Sequence, residues 1–204
     1  MHTVAETRLV GPKLYRYSVK EYDHIFGMGL FRRRRVELVE GRIILMAPQY
    51  EPHVAAVSLA SRAVEEALGA GYWVRRQSPI RLGERSKPEP DIAVVIGSEE
   101  NYIDSGAPTN PLLVIEVSDA TLRLDRGRKA AMYARHGVAD YWILNLIDRQ
   151  LEVHRAPIAD PAHRFKFRYS SIVVLRSGEF VVPIAAPSAR IEVARMMPRM
   201  PSSP

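Results

Sequence analysis

Three residues of this chain have types and placements that could do chemistry together: Asp91, Glu116 and Lys129. Asp91 opens the run DIAVVIG, and Glu116 lies near the end of PLLVIEVS. Both runs are apolar on both faces, which predicts strands at the centre of a sheet. An ionised carboxylate buried there without a partner is costly. Two such groups close together repel, and one pKa rises unless a cation sits between them. A divalent cation resolves both problems, because magnesium takes one or two carboxylates together with water and phosphate oxygens. Taken singly, each acid could equally end its strand in solvent or pair with an arginine.

Lys129 lies on the segment that follows Glu116. Asp125, Lys129 and Tyr133 are spaced four apart, so a helix puts them on one face. The run DRGRKAAMYARHG predicts that helix over Arg126–His136, stopped by Gly137. A helix that directly follows a strand folds back against it, which brings Lys129 within reach of Asp91 and Glu116. A lysine in that place can hold an attacking water or stabilise charge growing on a phosphate. The plainer alternative is a solvated lysine paired with Asp125.

The elements that must position these residues follow from pattern. Ser18 with Glu21 three residues later makes a capping box for a short helix ending near Gly27 or Gly29. Two strands, Val36–Val39 and Arg42–Met46, join at Glu40-Gly41. From His53 to Gly69, Ala- and Leu-rich helical spacing predicts the longest helix. YWVRRQSPIRL alternates as a strand, with Pro79 marking an edge or bulge. DYWILNLIDRQLEVHR predicts a hairpin about Ile147–Arg149, and FKFRYSSIVVLRSGEFVVP a second hairpin turning at Ser177-Gly178. The exposed YWILN strand is expected to pair with a second copy, giving a homodimer. The order of elements predicts an α/β or α+β fold with a mixed sheet. Residues 1–17 read as an arm, 18–186 as one domain and 187–204 as a loosely held tail.

The chain has 204 residues, 47% hydrophobic and 25% charged, which fits one globular domain with tails. It has no cysteine, which excludes disulfides and thiolate metal sites and fits a reducing cytoplasm. No apolar run reaches the roughly 20 residues a membrane helix needs, and the first residues lack the apolar segment of an export signal. The net charge of +6 makes a polyanion a reasonable partner. Basic residues are concentrated in RRRR at 32–35, and recur at Arg75, Arg76, Arg81, Lys87, Arg123, Arg126 and Arg128. Arg33, Arg35, Arg75, Lys87 and Arg126 are the expected phosphate contacts. An arginine-rich composition would produce part of the same pattern. No helix-turn-helix, zinc-finger or RNA-binding motif is present, so no separate module for sequence readout is indicated.

Asp91, its strand and the Glu116 segment together resemble the PD-(D/E)XK nucleases. More narrowly, ELVEGRI, PEPDIAVV, LVIEVSDATLRLDRGRKAAMYARHGVADYWILN and LEVHR are similar to the Uma-two family of restriction-endonuclease-like proteins. The resemblance runs from about Val36 to Arg155. It implies a restriction-endonuclease-like mixed sheet flanked by helices and a Mg2+- or Mn2+-dependent endonuclease acting on DNA more than RNA. It also implies catalytic roles for Asp91, Glu116 and Lys129. Glu37 would be an outer metal ligand, and His53 a phosphate contact or proton carrier. Glu40 could approach the metal or simply form a turn, and Gln77, at a position where the family carries a polar residue, could contact the site. The general motif has lysine two residues after the glutamate. This chain has Ser118 there, and Lys129 takes the lysine's place. The alternative is a nucleic-acid-binding or mobile-element accessory protein that keeps the fold with weak or no cleavage.

Overall fold

The computed structural model describes residues 12–199. Most of the arm expected over residues 1–17 lies outside them. Helix α1 (Val19–Gly27) starts at Ser18, whose hydroxyl accepts from the Glu21 amide while the Glu21 carboxylate accepts from the Ser18 amide. Strands β1 (Val36–Val39) and β2 (Arg42–Leu45) form an antiparallel hairpin. Its two-residue loop, Glu40 at φ 49° and Gly41 at φ 76°, is left-handed at both positions, as such a tight hairpin requires. Tyr22 and Val36 pack α1 onto this hairpin.

Helix α2 (Glu51–Leu68) begins two residues before His53, with Pro52 in its first turn, and ends at Gly69. Strand β3 (Tyr72–Arg76) is shorter than expected: Gln77 adopts φ 44° and turns the chain out of the strand. Strands β4 (Ile92–Ile96), β5 (Leu113–Ser118), β6 (Asp140–Asn145), β7 (Gln150–Ala159) and β8 (Phe167–Arg176) complete a six-stranded sheet in the order β3-β4-β5-β6-β7-β8. Only β5 and β6 run parallel; the other neighbours are antiparallel.

The parallel pair needs a crossover. It is supplied by α3 (Leu122–Leu124), a π-helical turn over Asp125–Lys129 and α4 (Ala130–Arg135) in direct succession. The helix therefore starts before the expected Arg126, and its middle is wound one residue per turn more loosely. Helix α2 buries Ala56, Ala60 and Val64 against one face of the sheet, and α4 buries Met132 and Tyr133 against the other. No helix among the described residues is long and apolar enough to cross a membrane.

Three expectations are corrected here. The YWILN strand is not an edge: β6 lies between β5 and β7 with all six residues buried, because the crossover docks it beside β5. Ser177-Gly178 does turn the chain, but the strand after it does not return along β8. Strand β9 (Phe180–Val181) pairs instead with β10 (Ile191–Glu192). That choice buries both Val181 and Ile191 in the α2-side core. The segment after Pro187 is not loose over its described length either. Ile191, Val193, Met196 and Met197 fill the same core, the first three with at most 0% exposure.

Candidate metal and phosphate site

Asp91 stands immediately before β4, and Glu116 is in β5, with its side chain on the α4 face of the sheet. Both line one polar cavity of about 30 Å³, together with His53, Asp125, Lys129 and Arg35. That volume holds one or two water-sized species. The strands, the π-helical turn and the first turn of α2 each deliver residues to it.

Asp91 is held at both oxygens. His53 Nε2 lies 3.0 Å from Oδ1, Gln77 donates to Oδ1 at 3.3 Å, and the Val117 amide donates to Oδ2 at 2.9 Å. Burial alone would raise the Asp91 pKa, but the hydrogen bond and charge of His53 and the Val117 amide outweigh it. The net shift is downward. His53 is the mirror image: burial lowers it, and the bond and charge of Asp91 bring it above the ordinary imidazole value.

Glu116 accepts from Lys129 Nζ at 2.9 Å and from the Tyr133 hydroxyl at 2.7 Å, both at Oε1. Burial raises its pKa against the opposing charge of Lys129, and Asp125, Asp91 and Glu37 add to the rise, which reaches about 8. Lys129 is itself fully buried. Burial would lower its pKa, but Glu116, Glu37 and Asp125 raise it well above the ordinary lysine value, so the ammonium is charged. Asp125 accepts from Thr121 at 2.6 Å and from the Ser118 hydroxyl, yet burial still raises its pKa.

Glu37 pairs with Lys129, Oε1 lying 3.2 Å from Nζ, and its Oε2 accepts from the Glu89 amide at 3.2 Å. It is fully buried and does not line the cavity, so it supports the lysine from behind. Glu40 takes the turn alternative: it pairs with Arg128 and Arg135, each at 3.5 Å, away from the cavity. Gln77 does reach the site, through Asp91.

The cluster carries four buried carboxylates, Glu37, Asp91, Glu116 and Asp125, against two buried groups able to be cationic, Lys129 and His53. With all four ionised the cluster would carry an excess of negative charge, which a divalent cation would neutralise. Among the described residues no group of three or more His, Cys, Asp or Glu side chains converges as a cage for a metal ion. Magnesium takes one or two carboxylates and keeps most of its water. Asp91 and Glu116 are the residues that would hold it.

The basic residues divide into groups. Arg35 lines the cavity and pairs with Glu89 at 2.7 Å; Arg33 lies exposed in the preceding turn. Arg126 is committed to Glu152 through two bonds of 2.9 and 2.6 Å, and Lys87 pairs with Asp23 at 2.6 Å. Arg75 and Lys87 line a separate groove. Sequence reasoning placed Tyr133 and Asp125 on the lysine's helix face but gave neither a role; their four-residue spacing from Lys129 was the available signal.

A model of the Uma2 family, described as "Putative restriction endonuclease", matches residues 19–193. A solved structure described as a "putative nuclease belonging to DUF820", from Anabaena variabilis, superposes with a TM-score of 0.60 at 18% identity. The alignment covers 80% of this chain and 89% of that one, and it shows a common fold. The type IIG restriction endonuclease BpuSI is similar over 56% of this chain and 12% of its own length, at 17% identity and a TM-score of 0.34. No curated protein matches. The family match spans most of the chain and includes every residue of the cavity, and the fold is restriction-endonuclease-like: the chain belongs to the Uma2 family.

Proposed function

We propose that this protein is an endonuclease that hydrolyses phosphodiester bonds in nucleic acid, DNA ahead of RNA, with Mg2+ or Mn2+ held by Asp91 and Glu116. The observation that carries this reading is the surplus of buried carboxylate over buried cation around a cavity large enough for an ion or a water. A divalent cation bound there would polarise a phosphoryl oxygen and acidify a bound water.

The chain's own residues supply the rest. Lys129 directs its ammonium at Glu116 and at Glu37, and of its three N–H donors one remains to hold a water or a phosphate oxygen in the cavity. Tyr133 and Glu37 fix the lysine and Glu116 in place. His53, poised on Asp91, can carry a proton or meet a phosphate oxygen. Arg35 at the cavity offers a second cation to the phosphate. The absence of cysteine fits work in a reducing cytoplasm.

The test is cleavage of plasmid and oligonucleotide substrates with Mn2+ or Mg2+ by wild type, Asp91→Ala and Glu116→Gln. Metal-dependent cleavage lost in both variants is expected. Wild-type activity no greater than that of the variants, across metals and substrates, would sink the enzyme reading. A specific observation favours the second reading, a nucleic-acid-binding protein with weak or no cleavage: both Asp91 oxygens already have protein partners. Binding of DNA with no metal-induced rise in melting temperature would select it.

A further inference from the structure

On the same sheet face as Glu116, but one strand further out than Asp91, lies a groove of about 430 Å³ that the cleavage site does not use. Its walls carry Trp73, Arg75, Lys87 and Tyr102. The Trp73 and Tyr102 rings stand 5.5 Å apart at 35°, and the Arg75 guanidinium lies 4.4 Å over Trp73. Tyr102 is anchored by its hydroxyl to the Ile96 carbonyl at 2.9 Å.

Arg75 is the unusual member. Among the described residues it has no carboxylate partner and its buried Nε has no hydrogen-bond partner, while it donates to the Pro79 carbonyl at 3.2 Å. Most other arginines near the site are neutralised: Arg35 by Glu89, Arg76 by Glu65, Arg126 by Glu152. An uncompensated guanidinium laid on an aromatic pair is a surface for a phosphate beside a flat ring. Lys87 adds a second cation, shared with Asp23, and Glu99 is the acidic residue of the lining.

The groove connects to the cavity along the chain. Arg75 pairs with Ala93, two residues from Asp91. On strand spacings of ~3.3 Å along and ~4.8 Å across, that is about 8 Å between Cα positions. The segment from Lys87 to Asp91 spans the same interval, Lys87 in the groove, Glu89 on Arg35 and Asp91 in the cavity.

Resting on the nuclease reading, we propose that this groove binds an unpaired segment of DNA next to the bond to be cleaved, one base stacking on the Trp73–Arg75–Tyr102 surface and a phosphate meeting Arg75 and Lys87. Bases within a duplex have both faces covered, so a stacking surface selects unpaired strands. The choice of DNA is that of the nuclease reading, since a stacking surface by itself does not distinguish the sugars.

The chain has two tryptophans, and Trp142 is fully buried, so a ligand-induced change in emission reports Trp73. The experiment titrates the protein, in EDTA, with a short single-stranded DNA, its blunt duplex and the RNA of the same sequence. Saturable quenching by the single strand is expected, with the duplex binding about tenfold more weakly and the RNA no more tightly than the DNA. Tyr102→Ala and Arg75→Gln should each weaken single-strand affinity by about tenfold while the melting temperature holds. No quenching, equal binding of duplex, or full affinity in both variants would overturn the groove assignment; tighter RNA binding would overturn the choice of DNA. The readout is independent of cleavage. Asp91-dependent cleavage without quenching would refute the groove alone, and quenching without any cleavage would refute the nuclease reading alone.

Discussion

Under the proposed function, Lys129 is the residue on which stability and activity would both depend. Replacing it with methionine leaves Glu116 and Glu37 buried without their cation, a loss on the order of 3–5 kcal/mol by analogy with broken buried pairs. Cleavage should fall by about 10²- to 10³-fold, the usual effect of removing one charge-stabilising donor. Denaturant titration separates the two effects: Lys129→Met with Glu116→Gln should regain part of the stability and none of the activity. Glu116 sets a pH dependence of its own. Its folded pKa of about 8 lies above the ordinary 4.5, so the unfolded chain loses its proton first as pH rises. The metal-free protein should therefore lose stability between about pH 4.5 and 8. Melting curves across that range should show the slope in wild type, a weaker one in Glu116→Gln, and a stabilisation by Mn2+ that grows with pH. At this scale Asp91, Glu116 and Lys129 were readable from the sequence because a charge in a doubly apolar run is anomalous wherever it occurs. Gln77 was named through the family resemblance and does reach Asp91; the role of Tyr133 was not read, because an ordinary polar residue acquires its role only from the partner that folding brings to it.

Among the elements, the π-helical turn over Asp125–Lys129 is the device that the four-residue spacing concealed. It lets Asp125 turn to Ser118 and Thr121 while Lys129 and Tyr133, still four apart, both reach Glu116. The capped helix α1, the β1–β2 hairpin and α2 were legible because their signals are local: a capping box, a Glu-Gly turn, an uninterrupted apolar stripe. The place of β6 was not, since alternation within a strand says nothing about which strands lie beside it. The last segment was misread for a related reason. Its strands are two residues long, too short for periodicity, and the side chains that hold it down are isolated methionines and aliphatics. The consequence is testable by calorimetry: Met196→Ala should destabilise the fold by about 2–5 kcal/mol, as for a buried core methionine, where a loose tail would show no change.

For the whole molecule, the edges of the sheet are β3 and β8. Strand β8 exposes Ile172, Val173 and Val174 in succession, alternating between its two faces, three β-branched residues with no charge among them. With β6 enclosed, this edge is where the proposed homodimer would pair. Sedimentation velocity should show self-association that Val173→Lys abolishes, with the melting temperature little changed. The packing of α2 bears on the order in which the core closes. Helix α2 packs against β10 and the 3-10 turn Val193–Arg195, which lie more than 120 residues downstream of it. A ribosome-bound chain that has not yet reached residues 191–197 has an open core on the α2 side, the side from which His53 reaches Asp91. The last layer of that core therefore closes only after those downstream residues have emerged.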